Sequence, residues 1–549
     1  MSLVSKRTLK SVLGELPLTA EVYWRLLQQG QPLSKSFSLR RVEEKLPAWR
    51  AEAQKFRQQA AGRGKAAGGK RIFIFSTLLY WIEHTTLLGL SMSGLGHDVT
   101  LAYLPYANWR TPFNRFDLRR QNAYAKGILS QTAPLIDSLS LLDVKTGADG
   151  LPALLTERIR EVSLRDAQYT LQVEDVDQSN TSNSESARLY RLRVARNTQA
   201  ASAALTWMQA NHPEVVIVPN GSILEMGAVY QAAHYLEIPV VTYEFGEQRQ
   251  RIWLAQNAEV MRQDTQALWQ ARQDLPLQEA QWDQIRTLFA SRQRASLWEN
   301  FSRRWQGLPS QGGDKVRAEL GLDRRPLVLL AANVIGDSLT LGRQVFSDSM
   351  TEWLTKTVQY FAGQPQAQLV IRIHPGERYT QGPSVADVVR QALPDVDSLS
   401  HIHLVEAQAP VNTYDLVEIA DLGLVYTTTV GMEMAMSAVP VIVVGQTHYR
   451  GKGFTLDPQS WQAYFDMLQQ VLAEPARVRP SREQVERAWN YAYRFFFEYP
   501  NPFPWHLLHF WNELERWPLE RVLSQEGQQE FGQAFRYLAG EARQWTNIA

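Results

Sequence analysis

The sequence predicts an α/β protein with two domains of parallel sheet that face one cleft. Two observations predict this class. Strand-length apolar runs alternate with helix-length runs in two regions, residues 67–255 and 321–478. The intervening residues 256–320 are rich in Gln, Arg and Trp and read as a helical connector. A chain of 549 residues is also too long for one ordinary domain.

Composition excludes several function classes. The formal net charge is +1, which gives no overall field for a polyanion, so we expect no nucleic-acid partner. No cysteine is present, so disulfides, thiolate nucleophiles and cysteine metal sites are excluded. No window approaches the roughly 20 apolar residues of a spanning helix, and the N-terminus lacks a signal-peptide core. We expect a cytoplasmic protein, with peripheral association at the inner membrane face as an open alternative.

The first domain is preceded by helical sequence. Residues 1–66 read as a helical extension that ends in a linker, AGRGKAAGGK at 61–70. Apolar strands then follow at RIFIFS (71–76), DVTLAYLP (98–105), VVIVP (215–219) and VVTYEF (240–245). The glycines near 94–96 do not have the spacing of a dinucleotide-binding fingerprint.

Two aromatic segments each allow two interpretations. NWRTPFNRFDLRR (108–120) is basic, and it either lines an acceptor groove or, by default, is a solvated helix face. NPFPWHLLHFWNELERWPL (501–519) carries several of the 17 tryptophans. It lies within the predicted C-terminal helices, 479–549, and either covers an interface, which we favour, or rests on a membrane.

The second domain contains a βαβ unit that predicts a phosphate site. Strands are predicted at 326–333, 368–375, 401–406, 422–426 and 441–445. Thr427, Thr428 and Thr429 follow the fourth of these strands, and Gly431 opens a helix. Ligands of parallel sheets bind outside the carboxyl ends of strands, where hydroxyls suit a phosphate.

Glu433 lies one helical turn after Thr429, on the same face, where it could contact an attached ribose. The alternative is that the threonine is an ordinary N-cap and the glutamate complements the helix dipole.

A second constellation follows the strand QLVIRIHP. Arg372 and His374 share one face of the strand, and Pro375 and Gly376 stop it. An interior parallel strand tolerates little charge. An anionic ligand at its carboxyl end would therefore explain why Arg372 and His374 occur there. The alternative is that Arg372 pairs with a carboxylate and His374 caps the turn.

Two loops point to the same edge. NVIGD (333–337) contributes Asn333 and Asp337 after the first strand of the domain. HYRGK (448–452) contributes Arg450 and Lys452 next to glycines, which suggests a flexible basic loop that closes over a diphosphate. Ordinary loops are the alternative for each segment taken alone.

A proton acceptor is expected on loops of the first domain. Glu83, His84, Glu225, Glu244 and Glu247 are the residues of suitable type. The sequence does not rank them, and we take His84, Glu225 and Glu247 as the catalytic candidates.

The motifs RIHPGE and VYTTTVGMEMAMSAVPVIVVGQTHYRGKGFT resemble bacterial capsule polysaccharide biosynthesis proteins, including Kdo-transferase-like members. They also resemble the broader GT-B glycosyltransferases that use CMP-activated sugars. The resemblance is clear across about 325–500 and weaker across 71–255. It implies a GT-B-like fold of two Rossmann-like domains. It further implies that His374–Pro375 and the threonines hold the nucleotide phosphate and that Glu433 holds ribose.

The same resemblance implies no metal and no cofactor beyond the nucleotide-sugar donor. The partner would be a glycan acceptor, with a lipid-linked form as one option. One departure is that the acidic pair followed by glycine, which supplies the base in sialyltransferase-like members, has only a loose substitute at 243–247. The base and the stereochemistry therefore stay open. Three functions remain: a glycosyltransferase, a glycerophosphotransferase with a CDP-alditol donor, and a non-catalytic carbohydrate-binding or assembly module.

Overall fold

The computed structural model describes residues 6–62, 69–147, 150–295 and 308–547. Residues 63–68 of the predicted linker lie outside this part of the chain. The chain divides into two compact units. The first comprises Met1–Ala167, Asp177–Met261 and Asn501–Arg543, and the second comprises Gln168–Val176, Arg262–Pro500 and Gln544–Ala549. The predicted C-terminal helical segment, 479–549, is thus shared between the units.

The strands, in chain order, are β1 (Arg71–Thr77), β2 (Asp98–Leu104), β3 (Ile136–Ser140), β4 (Val215–Pro219), β5 (Val240–Glu244), β6 (Arg251–Gln256), β7 (Leu327–Ala331), β8 (Gln368–Arg372), β9 (Ile402–Val405), β10 (Leu422–Val425), β11 (Val441–Val443) and β12 (Asn501–Pro502).

The helices up to the second sheet are α1 (Lys6–Glu15), α2 (Thr19–Leu26), α3 (Arg40–Gly62), α4 (Leu79–Gly94), α5 (Arg115–Leu129), α6 (Ala153–Leu171), α7 (Glu185–Asn211), α8 (Leu224–Tyr235), α9 (Gln266–Arg272), α10 (Glu279–Gln293) and α11 (Gly313–Glu319). The later helices are α12 (Met350–Ala362), α13 (Val385–Ala392), α14 (Thr413–Ile419), α15 (Val430–Met436), α16 (Trp461–Ala473), α17 (Arg482–Tyr493), α18 (Phe510–Arg516), α19 (Leu519–Leu523) and α20 (Gln525–Leu538).

The first unit is built on a sheet with the strand order β12-β6-β5-β4-β1-β2-β3. Strands β1 to β5 pair in parallel, whereas β6 and β12 add an antiparallel edge. Apolar side chains of the central strands are fully buried, because helices cover both faces of such a sheet. The order around β1 is that of a Rossmann-like domain.

The second unit has a sheet with the order β11-β10-β7-β8-β9, and every pairing in it is parallel. Its core includes the apolar residues of β7, β8 and β10 together with those of α12, α13 and α16. The α/β class with two Rossmann-like domains is therefore confirmed by the hydrogen-bond pattern of both sheets.

The strands predicted from apolar runs are present, and their bounds differ by a few residues at the ends. Three strands were not predicted, namely β3, β6 and the two-residue β12. β3 reads IDSLS and β6 reads RIWLAQ, and their polar residues break the apolar run that marks a buried strand. β3 is the edge strand at one end of the first sheet, and β6 is the second strand from the other end. Strands near the margins of a sheet are less completely buried, so they need fewer apolar residues.

The aromatic segment 501–519 belongs to the core of the first unit. Phe503 and Trp505 are fully buried, and the indole N–H of Trp505 donates to the carbonyl of Trp517 at 2.8 Å. Trp511 stacks on Trp49 with ring centroids 6.1 Å apart. This packing supports the first interpretation, in which the segment covers an interface. Side chains as buried as Phe503 and Trp505 cannot reach a lipid surface.

The basic segment 108–120 matches neither of its two interpretations, because part of it packs against other helices. Asn114 caps α5 by accepting a hydrogen bond from the N–H of Phe116 at 2.9 Å. Arg119 forms an ion pair with Glu21 at 2.6 Å, so α5 is tied to the N-terminal helices. In the described ranges, no helix is both long and apolar enough to cross a membrane.

Candidate functional site

Three side chains stand at equivalent positions beyond three neighbouring strands of the second sheet. The last paired residues of β10, β7 and β8 are register partners. Thr427, Asn333 and His374 each follow two positions later. Adjacent strands are about 5 Å apart, so the three positions span on the order of 10 Å, which is the scale of a nucleotide phosphate with its sugar.

This edge is also the topological switch point of the sheet. From β7 the chain proceeds to β8 and β9 on one side, and it then returns to β10 and β11 on the other. The loops after β7 and β10 therefore leave in opposite directions and open a crevice at the carboxyl edge. The two loops are joined by a hydrogen bond from the N–H of Thr427 to Oδ1 of Asn333, at 3.2 Å.

The threonines are positioned by the loop that follows β11. The Tyr449 hydroxyl donates to the carbonyl of Thr428 at 2.6 Å, and the Thr447 hydroxyl donates to the carbonyl of Thr427 at 3.3 Å. A Cβ at Gly431 would lie 2.4 Å from the Tyr449 hydroxyl, so only glycine fits there. The hydroxyl oxygen of Thr427 is buried, and it has no hydrogen-bond partner among the described residues.

Thr429 precedes α15 but makes no side-chain capping hydrogen bond. The alternative interpretation of this residue as an ordinary N-cap is therefore not what the structure shows. Its side chain is partly exposed at the start of the helix.

His374 is held in one orientation by the turn that ends the strand. Its Nδ1 accepts a hydrogen bond from the N–H of Gly376 at 3.0 Å. Pro375 takes the first position of the short helix Pro375–Tyr379, where its missing N–H costs nothing. In the neutral ring the proton consequently lies on Nε2, which makes that atom a hydrogen-bond donor.

Arg372 does not have the partners that either interpretation expected. Its terminal nitrogens donate to the main-chain carbonyls of Glu406 at 2.7 Å and Val411 at 3.1 Å. Burial, with a smaller effect of the nearby Arg378, lowers the pKa of Arg372 to about 10. The guanidinium thus braces the loop after β9 and adds positive potential to the edge, without reaching towards a ligand.

Asp337 lies in a turn that requires glycine. Gly336 has a φ of +69°, and a Cβ there would lie 2.5 Å from the main chain of Gln172 and Val173. Oδ1 of Asp337 accepts a hydrogen bond from the N–H of Ser338 at 2.7 Å, and burial raises its pKa. The carboxylate therefore shapes the loop after Asn333.

Glu433 is enclosed in an ion-pair cluster. Its Oε1 lies 2.7 Å from Nε of Arg292, and its Oε2 accepts a hydrogen bond from the Tyr414 hydroxyl at 2.9 Å. The glutamate is 1% exposed. Both carboxylate oxygens are engaged by protein groups, so contact with a ribose would require this cluster to open.

The expected flexible basic loop is instead a buried one. The two terminal nitrogens of Arg450 donate to the main-chain carbonyls of Val443 and Pro458. Nζ of Lys452 donates to the side chain of Gln266. Burial lowers the pKa of both basic groups. A loop fixed in this way holds the end of β11 and cannot act as a flap in this conformation.

In the first unit, His84 is a core histidine. It is fully buried, with Nδ1 at 3.2 Å from the Tyr243 hydroxyl and Nε2 at 3.3 Å from the Trp505 carbonyl. Burial lowers its pKa to about 3, although the hydrogen bond to the Trp505 carbonyl acts in the opposite direction. A ring so enclosed cannot touch a substrate, which corrects its assignment as a catalytic candidate.

Glu225 is part of a buried triad. Its Oε1 lies 3.0 Å from Nη2 of Arg193, whose Nε pairs with Asp166. All three side chains are almost inaccessible, and burial raises the pKa of Asp166 despite the neighbouring guanidinium. The triad joins α6, α7 and α8, so Glu225 is placed as a structural carboxylate and not as a base.

Two carboxylates remain at the carboxyl end of β5. Glu244 accepts hydrogen bonds from Nδ2 of Asn220 and from the N–H of Phe245, each at 3.0 Å, and burial raises its pKa. Glu247 is half-buried in the connection to β6. Elsewhere in the unit, burial raises the pKa of Glu83 to about 7.

The residues that sequence reasoning missed are the partners of the buried charges, namely Asp166, Arg193, Arg292 and Tyr414. Nothing in their local sequence distinguishes them from surface residues, because each pair is distant along the chain. Among the described residues, no group of three or more His, Asp or Glu side chains is arranged to hold a metal ion.

Comparison with known proteins leaves the family open. No known protein family and no curated protein matches the chain. Solved structures to which it is similar include the beta Kdo 2,4 transferase KpsC of Thermosulfurimonas dismutans, at 15% identity over 54% of this chain and 83% of that one, with a TM-score of 0.33. The UDP-GlcNAc 2-epimerase of Neisseria meningitidis is 13% identical over 78% and 99%, with a TM-score of 0.24.

A glycosyltransferase from Rickettsia africae is 8% identical over 83% of this chain and 100% of that one, with a TM-score of 0.27. At these identities and TM-scores, the likenesses carry no argument about activity.

Proposed function

We propose that the protein is a glycosyltransferase of the GT-B type that takes its sugar from a nucleotide-activated donor. One observation carries the proposal. Thr427, Asn333 and His374 stand in register beyond three neighbouring strands, at the switch point of an all-parallel sheet. Hydroxyl, amide and imidazole donors at such an edge suit the phosphate of a nucleotide.

Each group has a distinct part in holding the leaving group. Nε2 of His374 donates a hydrogen bond to a phosphate oxygen, in the tautomer that Gly376 fixes. The Thr427 hydroxyl supplies a second donor, since it has no other partner in the described residues. Arg372 adds positive charge near the phosphate without contacting it, since its guanidinium donates to main-chain carbonyls.

The reaction exchanges one bond to the anomeric carbon for another. The bond from this carbon to the phosphate oxygen breaks, and a bond to the acceptor hydroxyl oxygen forms. The hydroxyl proton passes to a carboxylate. We assign this role to Glu247, because it is partly exposed whereas His84 and Glu225 are buried.

The donor is expected to be a CMP-linked sugar, and the acceptor is expected to be a surface or capsular polysaccharide. The resemblance of the His374–Pro375 pair and the threonine run to CMP-sugar transferases supports this donor. The same motifs also fit transfer of an alditol phosphate from a CDP-linked donor, so the assay must separate the two chemistries.

The first experiment is a calorimetric titration of the purified chain with CMP, CDP, UDP and GDP. His374→Ala removes the proposed phosphate donor, and His403→Ala, on the neighbouring strand β9, is the matched control. We expect cytidine nucleotides to bind, and His374→Ala to lower the affinity by about 10- to 100-fold, the value of a hydrogen bond to a charged group. The control should bind as the wild type does.

Product analysis then distinguishes the chemistries. Release of CMP from a CMP-sugar with growth of a glycan supports the proposal, whereas transfer from CDP-glycerol alone would replace it with the alditol phosphate reaction. Preference for UDP or GDP would overturn the donor assignment. Binding of none of the four nucleotides would indicate the non-catalytic module.

A further inference from the structure

The two N-terminal helices present apolar side chains to solvent. In α2 and its flanks, Leu18 is 68% exposed, Val22 51%, Leu26 69% and Leu27 71%. Val12, Leu16 and Tyr23 are exposed as well. We call these seven residues the N-terminal apolar patch. Single exposed leucines are ordinary, but a concentration of this kind within sixteen consecutive residues, Val12 to Leu27, marks a binding surface.

Helical spacing places the patch on one side. Leu18, Val22 and Leu26 are four residues apart, so they form a stripe along α2. The opposite side of the helix is the one that packs on α5. Ala20 is buried there, and the Trp24 ring lies so close that a Cβ at Gly127 would be 3.2 Å from it. The exposed stripe is thus additional to the face that α2 needs for folding.

Polar bonds fix the helix pair in this orientation. Arg119 of α5 donates from Nε and Nη2 to the two carboxylate oxygens of Glu21, at 3.0 and 2.6 Å. Its Nη1 donates to the main-chain carbonyls of Gly14 and Leu16, at 2.9 and 2.6 Å. Burial alone would raise the pKa of Glu21, yet these hydrogen bonds lower it. The patch is therefore a rigid part of the first unit.

Charge identifies the occupant. Residues 6–27 carry four basic residues, Lys6, Arg7, Lys10 and Arg25, and two acidic ones, Glu15 and Glu21. Both glutamates are paired with arginines of α5, at positions 115 and 119. The adjoining segment 108–120 adds four arginines and one aspartate. Together the two segments carry eight basic and three acidic residues, a net charge of +5, although Lys10 is paired with Asp117 at 2.9 Å. An apolar stripe on segments with excess positive charge matches the pattern of helices that lie on anionic bilayers.

We propose that the N-terminal apolar patch docks the protein on the surface of an anionic lipid bilayer. A second copy of the chain fits less well, because a stable protein interface uses about 20–30 residues on each side and the patch offers seven apolar ones. The docking surface differs from the aromatic segment 501–519, whose Phe503 and Trp505 are buried in the core. The inference does not depend on the proposed chemistry.

The test is co-sedimentation of the full chain with vesicles. One set contains phosphatidylglycerol and phosphatidylethanolamine, and the other contains phosphatidylcholine alone. The triple variant Leu18→Ser, Val22→Ser, Leu26→Ser removes the stripe. The matched control is Leu154→Ser with Leu508→Ser, which changes exposed leucines elsewhere in the first unit. Melting temperatures measured without lipid verify that every variant is folded.

We expect binding to the anionic vesicles that weakens with salt. The triple variant should bind on the order of a hundredfold more weakly, since three partly inserted aliphatic side chains are lost. Arg25→Gln should weaken binding about fivefold, the contribution of one basic residue near such a surface. The control pair should bind as the wild type does.

Three outcomes would overturn the proposal. The wild type does not sediment with anionic vesicles, the folded triple variant binds them undiminished, or light scattering shows a dimer that the triple variant dissociates while no lipid binding is seen. Since none of these readouts involves a nucleotide, failure here leaves the transferase proposal untouched.

Discussion

Replacing Glu433 by Gln separates a structural role from a ligand-binding role for a residue at the edge of the proposed nucleotide site. The carboxylate pairs with Arg292 at 2.7 Å and accepts from Tyr414 at 2.9 Å. Glutamine keeps the shape and one acceptor but removes the charge. Arg292, itself buried, would then lose its ion pair with Glu433, and its pKa, now raised by Glu433 against the effect of burial, would fall.

The magnitude follows from the burial of both partners. Removing one member of a buried ion pair costs about 3–5 kcal/mol, and the retained hydrogen bond to Tyr414 places the expectation near the lower bound, about 3 kcal/mol. For a unit of this size, each kcal/mol shifts the melting temperature by about 2–4 °C, so the second unit should melt about 6–12 °C lower.

Differential scanning calorimetry measures the melting temperature, and titration with the nucleotide that binds the wild type measures affinity at a temperature where the variant is folded. We expect a lower melting temperature and an affinity unchanged within about twofold. The double variant with Arg292→Met should be less destabilised than the sum of the single changes, because both single changes break the same ion pair. A variant that melts like the wild type but binds nucleotide about tenfold more weakly would refute this reasoning and restore the ribose contact.

Three further predictions concern buried groups. Burial, followed by nearby Arg343 and Lys452, lowers the pKa of His448 to about 3, so its stabilising effect is present above pH 6.5 and is lost as the pH falls towards 3. His448→Phe should reduce the stability lost between pH 7 and 5 by about 2 kcal/mol in urea unfolding. Gly431→Ala should destabilise the protein by about 1–3 kcal/mol, whereas Gly363→Ala, where a Cβ meets nothing closer than 3.7 Å, should be near neutral by the same measurement. Arg193→Met should leave two unpaired buried carboxylates and cost about 3–5 kcal/mol, unless the pH is lowered enough to protonate them.

Much of the proposed nucleotide-binding edge could be predicted from the sequence. Thr427, Asn333 and His374 each follow an apolar run that can only be a strand, and parallel strands bring their carboxyl ends to one edge. The order of the strands within the sheet makes this edge the switch point, and that order could be read only from the hydrogen bonds between strands in the structure. The roles of basic residues were the least predictable, since Arg372 and Arg450 have the sequence context of ligand groups but bond main-chain carbonyls.

The sequence by itself determined the elements that depend on local patterns: the buried strands, their order along the chain, and the turn that begins at Pro375. Only the tertiary structure decided which charged groups are buried and with what. Glu433 and Glu225 look like site carboxylates in the sequence, and each is neutralised by an arginine distant along the chain. The physical reason is that burying a charge is costly without a partner, and the partner is chosen by packing between helices, which no local pattern records.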